Sequence, residues 1–399
     1  MSNQHDFSEI APFDDSQFAE KMALLVQEPG FEHAVKSVMP DVDYAQFVEQ
    51  LRSISDKQTF QTSIMWPFLE MLAKRTTAGI TVGGMENISD DMAYTYITNH
   101  RDIVLDASFL NLCFLRVGRR TSEVAIGDNL LIYEWITDLV KLNKSFVVKR
   151  NLRLTKALEA ARQLSAYIHY AIAEKKESVW IAQREGRAKD SNDVTQESLV
   201  KMMALDGDGT VARNISAINL MPVSISYEYD PNDYLKAREF LLRKLDPSFK
   251  KSPHDDLLSM ETGMLRFKGQ VHFQIGECIN PMLEPLLDDT DRVEVVKRIC
   301  SIIDCSIHSG YKIYPINYVA HDMLHQETKY ADCYTTAQAE EFEHYIESQL
   351  DKVDIPDLSA LDRGYMREMM LVMYSNPLRN KVSSTSLTCL KATGHLPVR

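Results

Sequence analysis

The 399-residue sequence contains no apolar run that reaches the roughly 18 residues needed to cross a bilayer. Its first residues, MSNQHDFSEIAPFDDSQF, are acidic and polar, unlike a signal or transit peptide. There are six cysteines but no CxxC pair, and we expect all six to be free thiols in a reducing compartment: Cys113, Cys278, Cys300, Cys305, Cys333 and Cys389. We therefore expect a cytoplasmic protein that, if it acts on lipid, lies on the inner face of a membrane rather than in it.

Several common catalytic signatures are also missing. There is no GxSxG or Walker A motif, and no GxGxxG follows a predicted strand. The triplet His100-Arg101-Asp102 copies the start of a kinase catalytic loop, but the position of the required Asn is occupied by Ala107. His321 and His325 lack the Glu of HExxH, so we interpret them as ordinary helix residues and expect no metal.

Charge is distributed unevenly along the chain. The formal net charge is −13, which argues against a general nucleic-acid binder. Residues 141–189 nevertheless hold twelve Lys and Arg against four Glu, and RVGRR lies just upstream at 116–120. A basic centre in an acidic chain favours one locally bound anionic ligand, although solvated helix faces would explain part of it.

The order of periodic segments predicts three regions. Residues 1–80 carry helix-period apolar positions, as in DSQFAEKMALLV, and form a predicted N-terminal helical region. In residues 81–285, β-like runs such as AYTYIT and SVWIAQR alternate with helix-like ones, which is typical of an α/β core. Residues 286–399 return to helical patterns and form a predicted C-terminal helical region.

Four stretches occur in an order that resembles the glycerolipid acyltransferase superfamily. They are NHRDIVLD at a strand-to-helix turn, SFVVKRN at a strand end, WIAQREGRAKD, and the proline-containing run INLMPVSISYEY. Later segments GQVHFQIGE and YPINYVA are similar to the glycerol-3-phosphate branch, so the resemblance covers roughly residues 80 to 320. It implies a glycerol-3-phosphate acyltransferase-like α/β core between helical ends. Two departures stand out: five residues separate His100 from Asp106 where the family has four, and the Glu-Gly-Arg block is one residue short.

The resemblance also implies an activity and a site. The reaction would move a fatty acyl group from acyl-CoA or acyl carrier protein to a hydroxyl of glycerol 3-phosphate or a lysophospholipid, at a membrane surface, without nucleic acid and without a cofactor. Alternatives left open are a lyso-aminolipid acceptor and an inactive relative that binds lipid or a partner. The implied catalytic residues are His100 and Asp106, and the implied substrate-binding residues are Lys149, Arg150, Glu185, Gly186, Arg187 and Pro222.

These residue types suit the chemistry. An attacking hydroxyl must lose a proton, and a histidine held by a carboxylate is a natural acceptor. Guanidinium groups such as Arg150 and Arg187 bind phosphate bidentately. Pro222 we place at a bulge or on an edge strand, since proline cannot donate to a sheet ladder.

Either Asp102 or Asp106 could serve His100. Asp102 falls at the start of the following helix, where a carboxylate is favoured without any catalytic role. Asp106 stands in an otherwise apolar run and needs a partner, so we predict that it holds the imidazole.

Contacts with a membrane have two candidate positions, one near Trp66, Phe68 and Leu69 and one along 130–139. Burial of both stretches in the core would explain their apolar character equally well.

Overall fold

The fold was analysed on a computed structural model, which describes residues 6–150 and 152–385. The strands are β1 (Gly79–Gly83), β2 (Thr95–Thr98), β3 (Glu123–Gly127), β4 (Ser145–Val148), β5 (Val179–Ala182), β6 (Leu220–Tyr227) and β7 (Gln270–Ile275). The helices before β5 are α1 (Asp15–Leu25), α2 (Pro29–Val38), α3 (Tyr44–Arg52), α4 (Lys57–Phe60), α5 (Trp66–Thr76), α6 (Leu105–Arg116), α7 (Glu134–Leu142) and α8 (Leu154–Tyr170). Those after it are α9 (Glu197–Met203), α10 (Val211–Ser216), α11 (Asp233–Leu245), α12 (Pro253–Leu265), α13 (Asn280–Leu283), α14 (Arg292–Ser309), α15 (Pro315–His325), α16 (Thr336–Leu350) and α17 (Ala360–Ser384).

A seven-stranded sheet forms the centre, in the order β1-β7-β6-β2-β5-β3-β4. Strands β6, β2, β5, β3 and β4 run parallel to one another, while β7 is antiparallel to β6 and parallel to β1. Helices cover both faces, so the central strands are buried on both sides. In β2, Ile97 packs into one apolar cluster and Tyr96 into the other. The predicted α/β core between helical ends is confirmed.

The first helices pack beside the sheet. Helices α1 to α4 share an apolar cluster in which Phe18, Leu51 and Phe60 meet Leu142 of α7, whereas Leu69 and Leu72 of α5 pack into a cluster on the sheet. Strand β1 begins at Gly79, two residues before the predicted start of the core, and it pairs with β7.

The last helices form an apolar cluster of their own. Helices α15, α16 and α17 pack with α11 around Phe342 and Tyr374. In the part of the chain that the structure describes, no helix is long and apolar enough to span a bilayer.

One strand has no counterpart among the sequence predictions. Strand β3 has the sequence EVAIG, and the charged Glu123 at its start interrupts the apolar pattern that would predict a strand. The side chain is buried because the Tyr167 hydroxyl donates to one carboxylate oxygen at 2.5 Å and Lys175 pairs with the other. The apolar pattern of residues 128–142 predicts one helix over that whole range, but α7 begins only at Glu134.

Two residue-level expectations are wrong. Pro222 lies on β6, an interior strand, rather than at an edge. Its carbonyl accepts from the Gly276 N–H at 2.9 Å, directly after the last residue of β7, so Pro222 takes part in the sheet as an acceptor.

The second correction concerns the cysteines. Cys305 is disulfide-bonded, whereas Cys113, Cys278, Cys300 and Cys333 are free thiols as expected. Cys389 lies outside the described residues. Disulfide formation depends on proximity in the fold, which spacing along the chain does not reveal.

Candidate active site

The site is built on the turn between β2 and α6. The side chain of Asn99 fixes the end of β2, because its amide donates to the Ile225 carbonyl at 2.9 Å and its oxygen accepts from the Ile225 N–H at 2.8 Å. His100 follows directly, at the carboxyl end of a central parallel strand, where α/β folds bind ligands.

His100 and Asp106 form a dyad. The Nδ1 atom of His100 lies 2.8 Å from Oδ2 of Asp106, in the first turn of α6. The same oxygen accepts from the backbone N–H groups of Arg101 at 2.7 Å and Asp102 at 3.0 Å, which fixes the carboxylate. With Nδ1 donating to the carboxylate, Nε2 of the neutral imidazole is a proton acceptor. The His100 side chain is 14% exposed, and its ring lies edge-on to Trp180 with centroids 5.9 Å apart.

Asp102 performs a different task in the same turn. Its Oδ1 atom accepts from the N–H groups of Val104 at 2.9 Å and Leu105 at 2.8 Å, so it caps α6. Burial, and next the neighbouring Asp106, raise the pKa of this carboxyl. The turn closed by Asp102 accommodates the extra residue between His100 and Asp106.

A buried polar layer behind the dyad escaped the sequence analysis. Burial, and next the carboxylates of Asp106 and Asp102, raise the pKa of the Tyr227 hydroxyl well above its ordinary value. Arg101 pairs with Asp193 at 2.8 Å, and the Tyr311 hydroxyl donates to the same carboxylate oxygen at 2.6 Å. In the sequence, only the charged Arg next to His100 indicated this layer. Its other members come from the segment after β5 (Asp193), from β6 (Tyr227) and from the end of α14 onward (Tyr311).

His100 lines a cleft of about 1820 Å³. Its walls are mainly apolar and come from the N-terminal helices as well as the sheet, and they include Phe31, Phe47, Leu51, Phe68, Val148 and Leu164. A cleft of this kind suits a ligand with a long apolar part.

Three of the predicted substrate-binding residues line this cleft, namely Lys149, Arg150 and Glu185. Arg150 Nη1 lies 3.5 Å from Glu185 Oε1, and the backbone N–H of Arg150 donates to Asp128 at 3.1 Å. Lys149 pairs with Glu9 at 2.5 Å. Arg184, which the sequence analysis did not select, also lines the cleft. The cations are thus at the same cleft as His100, and their carboxylate partners are partly exposed.

The other predicted residues lie elsewhere. Gly186 has φ +67°, a left-handed conformation that favours glycine. Arg187 does not line the cleft but lies near the buried polar layer, where its charge acts on Asp230. Burial tends to raise the pKa of Asp230, but the charges of Lys236 and Arg187 bring this pKa below its ordinary value. Pro222 is buried within the sheet.

Comparison with known proteins gives three findings. Residues 79–226 match the family model described as Acyltransferase. The crystal structure of the 1-acyl-sn-glycerophosphate (LPA) acyltransferase PlsC from Thermotoga maritima is similar with a TM-score of 0.36 and 15% sequence identity, covering 70% of this chain and 96% of that chain. Among curated proteins, no sequence matches this chain. The matched segment contains His100, Asp106, Lys149, Arg150 and Arg184, so the site described above lies within the part of the chain that is similar to the Acyltransferase family.

Proposed function

We propose that this protein moves a fatty acyl group from an acyl thioester, acyl-CoA or acyl carrier protein, to a hydroxyl of glycerol 3-phosphate or a lysophospholipid. The observation that carries the proposal is the His100–Asp106 contact of 2.8 Å at the wall of a large apolar cleft that also contains Lys149 and Arg150. The resemblance of the flanking motifs supports the choice of acceptor.

The chemistry begins with proton transfer. Nε2 of His100 takes the proton from the hydroxyl of the acyl acceptor. As the proton leaves, the hydroxyl oxygen attacks the carbonyl carbon of the thioester. Asp106 holds the ring through Nδ1 and stabilises the imidazolium that forms. The tetrahedral intermediate then collapses, the C–S bond breaks, and the departing thiolate takes the proton from the imidazolium. The products are an ester and a free thiol, and the histidine is restored.

Arg150 is the proposed phosphate-binding residue in the cleft, with Lys149 beside it. The Arg150–Glu185 separation of 3.5 Å leaves the guanidinium only loosely paired. Glu185 is exposed, so an incoming phosphate can replace it as the partner of Arg150. The proposed reaction requires neither a cofactor nor nucleic acid.

The cellular location is part of the same proposal. We place the protein in the cytoplasm, attached peripherally to the inner face of the membrane. A product with one or two acyl chains has to leave into lipid, and Tyr133, which lines the apolar cleft, is exposed together with its neighbour Ile132.

An acceptor panel tests the proposal. Purified protein is incubated with a long-chain acyl-CoA or acyl carrier protein and with glycerol 3-phosphate, a lysophosphatidate or a lyso-aminolipid, and acylated products are measured by mass spectrometry. We expect acylation of a phosphate-bearing glycerol derivative, and none with His100→Ala. If only the lyso-aminolipid were acylated, the proposed acceptor would be wrong and the lyso-aminolipid would take its place. If no combination of acyl donor and acceptor gave a product, the alternative of a catalytically inactive relative would be favoured.

A further inference from the structure

A second cluster of polar side chains lies at the carboxyl end of α15, outside the acyltransferase domain. His321, Asp322 and Glu327 each direct one ligand atom into the cluster, and these atoms all lie within 4.8 Å of one another. Asp322 is only 3% exposed. None of the three lines the cleft that contains His100.

The distances within the cluster are wider than hydrogen bonds. Nδ1 of His321 lies 3.3 Å from Glu327 Oε1 and 3.6 Å from Asp322 Oδ1. A charge-assisted hydrogen bond would bring such atoms to about 2.7–2.9 Å. Ligands of a tetrahedral Zn²⁺, each about 2.0–2.2 Å from the metal, are separated by about 3.4 Å. The observed spacing is that of a metal's ligands.

Two of these atoms are buried without a hydrogen-bond partner, Nδ1 of His321 and Oδ1 of Asp322. Buried polar atoms in native proteins nearly always have a partner, so both require an explanation. A single cation between them would satisfy both atoms.

The surroundings orient Asp322 as a ligand. Its other oxygen, Oδ2, accepts from the Tyr330 N–H at 2.9 Å and the Tyr334 hydroxyl at 3.0 Å. These bonds fix the carboxylate and leave Oδ1 directed at the cluster, as outer hydrogen bonds do in metal sites. The chain turns back at Gln326, which has φ +53° and brings Glu327 to the end of the helix.

The electrostatics also favour a cation. Two carboxylates and the negative end of the α15 dipole meet at this point. With three protein ligands, a water can complete a tetrahedral coordination.

From this geometry we propose that His321, Asp322 and Glu327 bind one divalent transition-metal ion, for which Zn²⁺ is the best fit. The imidazole nitrogen selects against Ca²⁺ and Mg²⁺, which prefer oxygen ligands. The ion ties the end of α15 to the segment leading to α16, and it stabilises the C-terminal helices without taking part in acyl transfer.

The test is zinc binding to untagged, chelator-treated protein. Zn²⁺ is titrated in competition with a chromophoric chelator, and the melting temperature is measured with and without Zn²⁺. We expect one tightly bound Zn²⁺ per chain and a higher melting temperature. Glu327→Gln should weaken binding by about tenfold or more, and Tyr334→Phe by about 10–100-fold, because the latter frees the Asp322 carboxylate to rotate.

The matched control is Glu340→Gln. Glu340 is exposed on α16 and lies outside the cluster, so this substitution should leave the zinc affinity unchanged. Glu327 is 41% exposed, so its substitution should not prevent folding. A chain that binds no Zn²⁺, or Glu327→Gln and Glu340→Gln variants that bind it equally well, would overturn the proposal.

Discussion

Asp102 and Asp106 lie in one turn of the chain, yet their hydrogen bonds differ. Asp106 accepts from His100 and from two backbone N–H groups, whereas Asp102 accepts only from the backbone of the helix it caps. We therefore expect Asp106→Asn and His100→Ala to reduce turnover by about 10²–10⁴-fold. Asp102→Asn keeps an oxygen for the cap and should cost about 1 kcal/mol of unfolding free energy or less, with turnover nearly unchanged.

Turnover and chemical denaturation of the three variants decide this assignment. An inactive but folded Asp102→Asn protein together with an active Asp106→Asn protein would reverse the roles.

Arg150 and Arg187 provide a second pair for comparison. Arg150 lines the cleft, whereas Arg187 lies by Asp102 and Asp230. Loss of a hydrogen bond to a charged group costs about 1.5–3 kcal/mol, so Arg150→Gln should raise the acceptor KM by about 10–150-fold with little change in kcat. Arg187→Gln should mainly lower stability. Steady-state kinetics with varied acceptor would contradict this if only Arg187→Gln raised the KM.

Asp304 on α14 links stability to pH. Burial raises the pKa of its carboxyl to about 6, from 3.8, although Thr195 donates to it through its N–H and hydroxyl. The folded protein thus holds a proton that the unfolded chain has lost, so this carboxyl makes the protein less stable as pH rises from about 4 to 6. Asp304→Asn keeps the acceptor for Thr195 and does not titrate.

The expected result is a stability difference that changes with pH. Relative to the natural protein, Asp304→Asn should gain about 2–3 kcal/mol of unfolding free energy between pH 4 and pH 7. Urea unfolding across this range measures it, and a difference that stays constant with pH would show that Asp304 titrates normally.

The local sequence predicts part of the site, but it does not predict contacts between residues that are far apart in the chain. A carboxylate in an apolar helix start needs a near partner, which identifies the His100–Asp106 pair from local sequence. Tyr227 and Asp193 reach the same place from β6 and from beyond β5, and no local pattern reports such contacts. Arg187 follows Glu185 by two residues, but the chain turns at Gly186. The side chain of Glu185 therefore lies at the cleft, whereas that of Arg187 lies near Asp230.

At the scale of elements, the junction after β1 depends on one glycine. Gly84 has φ +76°, and a Cβ there would lie 1.9 Å from the backbone oxygen of Ile275, at the end of β7. Gly118 has a similar φ of +73° but open space around it. Gly118→Ala should cost about 1–2 kcal/mol from the left-handed conformation alone. Gly84→Ala should cost about 3–4 kcal/mol, because the strand ends must also move apart.

Denaturant unfolding of both glycine variants provides the measurement. Equal losses would mean that the contact with β7 adds nothing to the cost of the backbone conformation.

Elements differ in how far their sequence predicts them. β2 (Thr-Tyr-Ile-Thr) and β5 (Val-Trp-Ile-Ala) consist mainly of β-branched and aromatic residues, and their patterns predict them correctly. β3 begins with a glutamate that is acceptable only because Tyr167 and Lys175 are brought to it by α8 and the turn that follows. Pro222 likewise lies on an interior strand because β2 and β7 pair on either side of β6, which no pattern within β6 reports.

At the scale of the whole molecule, the earlier membrane candidates separate into buried and exposed groups. Leu69 is 5% exposed, and Trp66 and Phe68 pack against the core, whereas Ile132 is 37% and Tyr133 53% exposed beside the cleft. We expect Ile132→Ser and Tyr133→Ser to weaken vesicle binding by about tenfold each, since burying a large apolar side chain contributes about 1.5–3 kcal/mol.

Co-sedimentation with anionic phosphatidylglycerol vesicles, at low and physiological salt, measures this binding. Leu361→Ser is the control, because Leu361 is 86% exposed at the start of α17 and away from the cleft lining. A natural protein that stays in the supernatant, or a Leu361→Ser protein affected as strongly as the other two, would argue against attachment through this surface.

The position of β7 has a consequence for synthesis on the ribosome. β7 lies between β1 and β6, although it follows β6 by more than forty residues and β1 by about 190. The segment 79–226, which matches the Acyltransferase family model, therefore emerges with the edge of β6 unpaired and β1 without a neighbour. At about 5–20 residues per second, translation of the interval from β6 to the end of β7 takes roughly 2–10 s. During these seconds the nascent chain exposes an apolar strand edge, which is a template for aggregation and a substrate for chaperones.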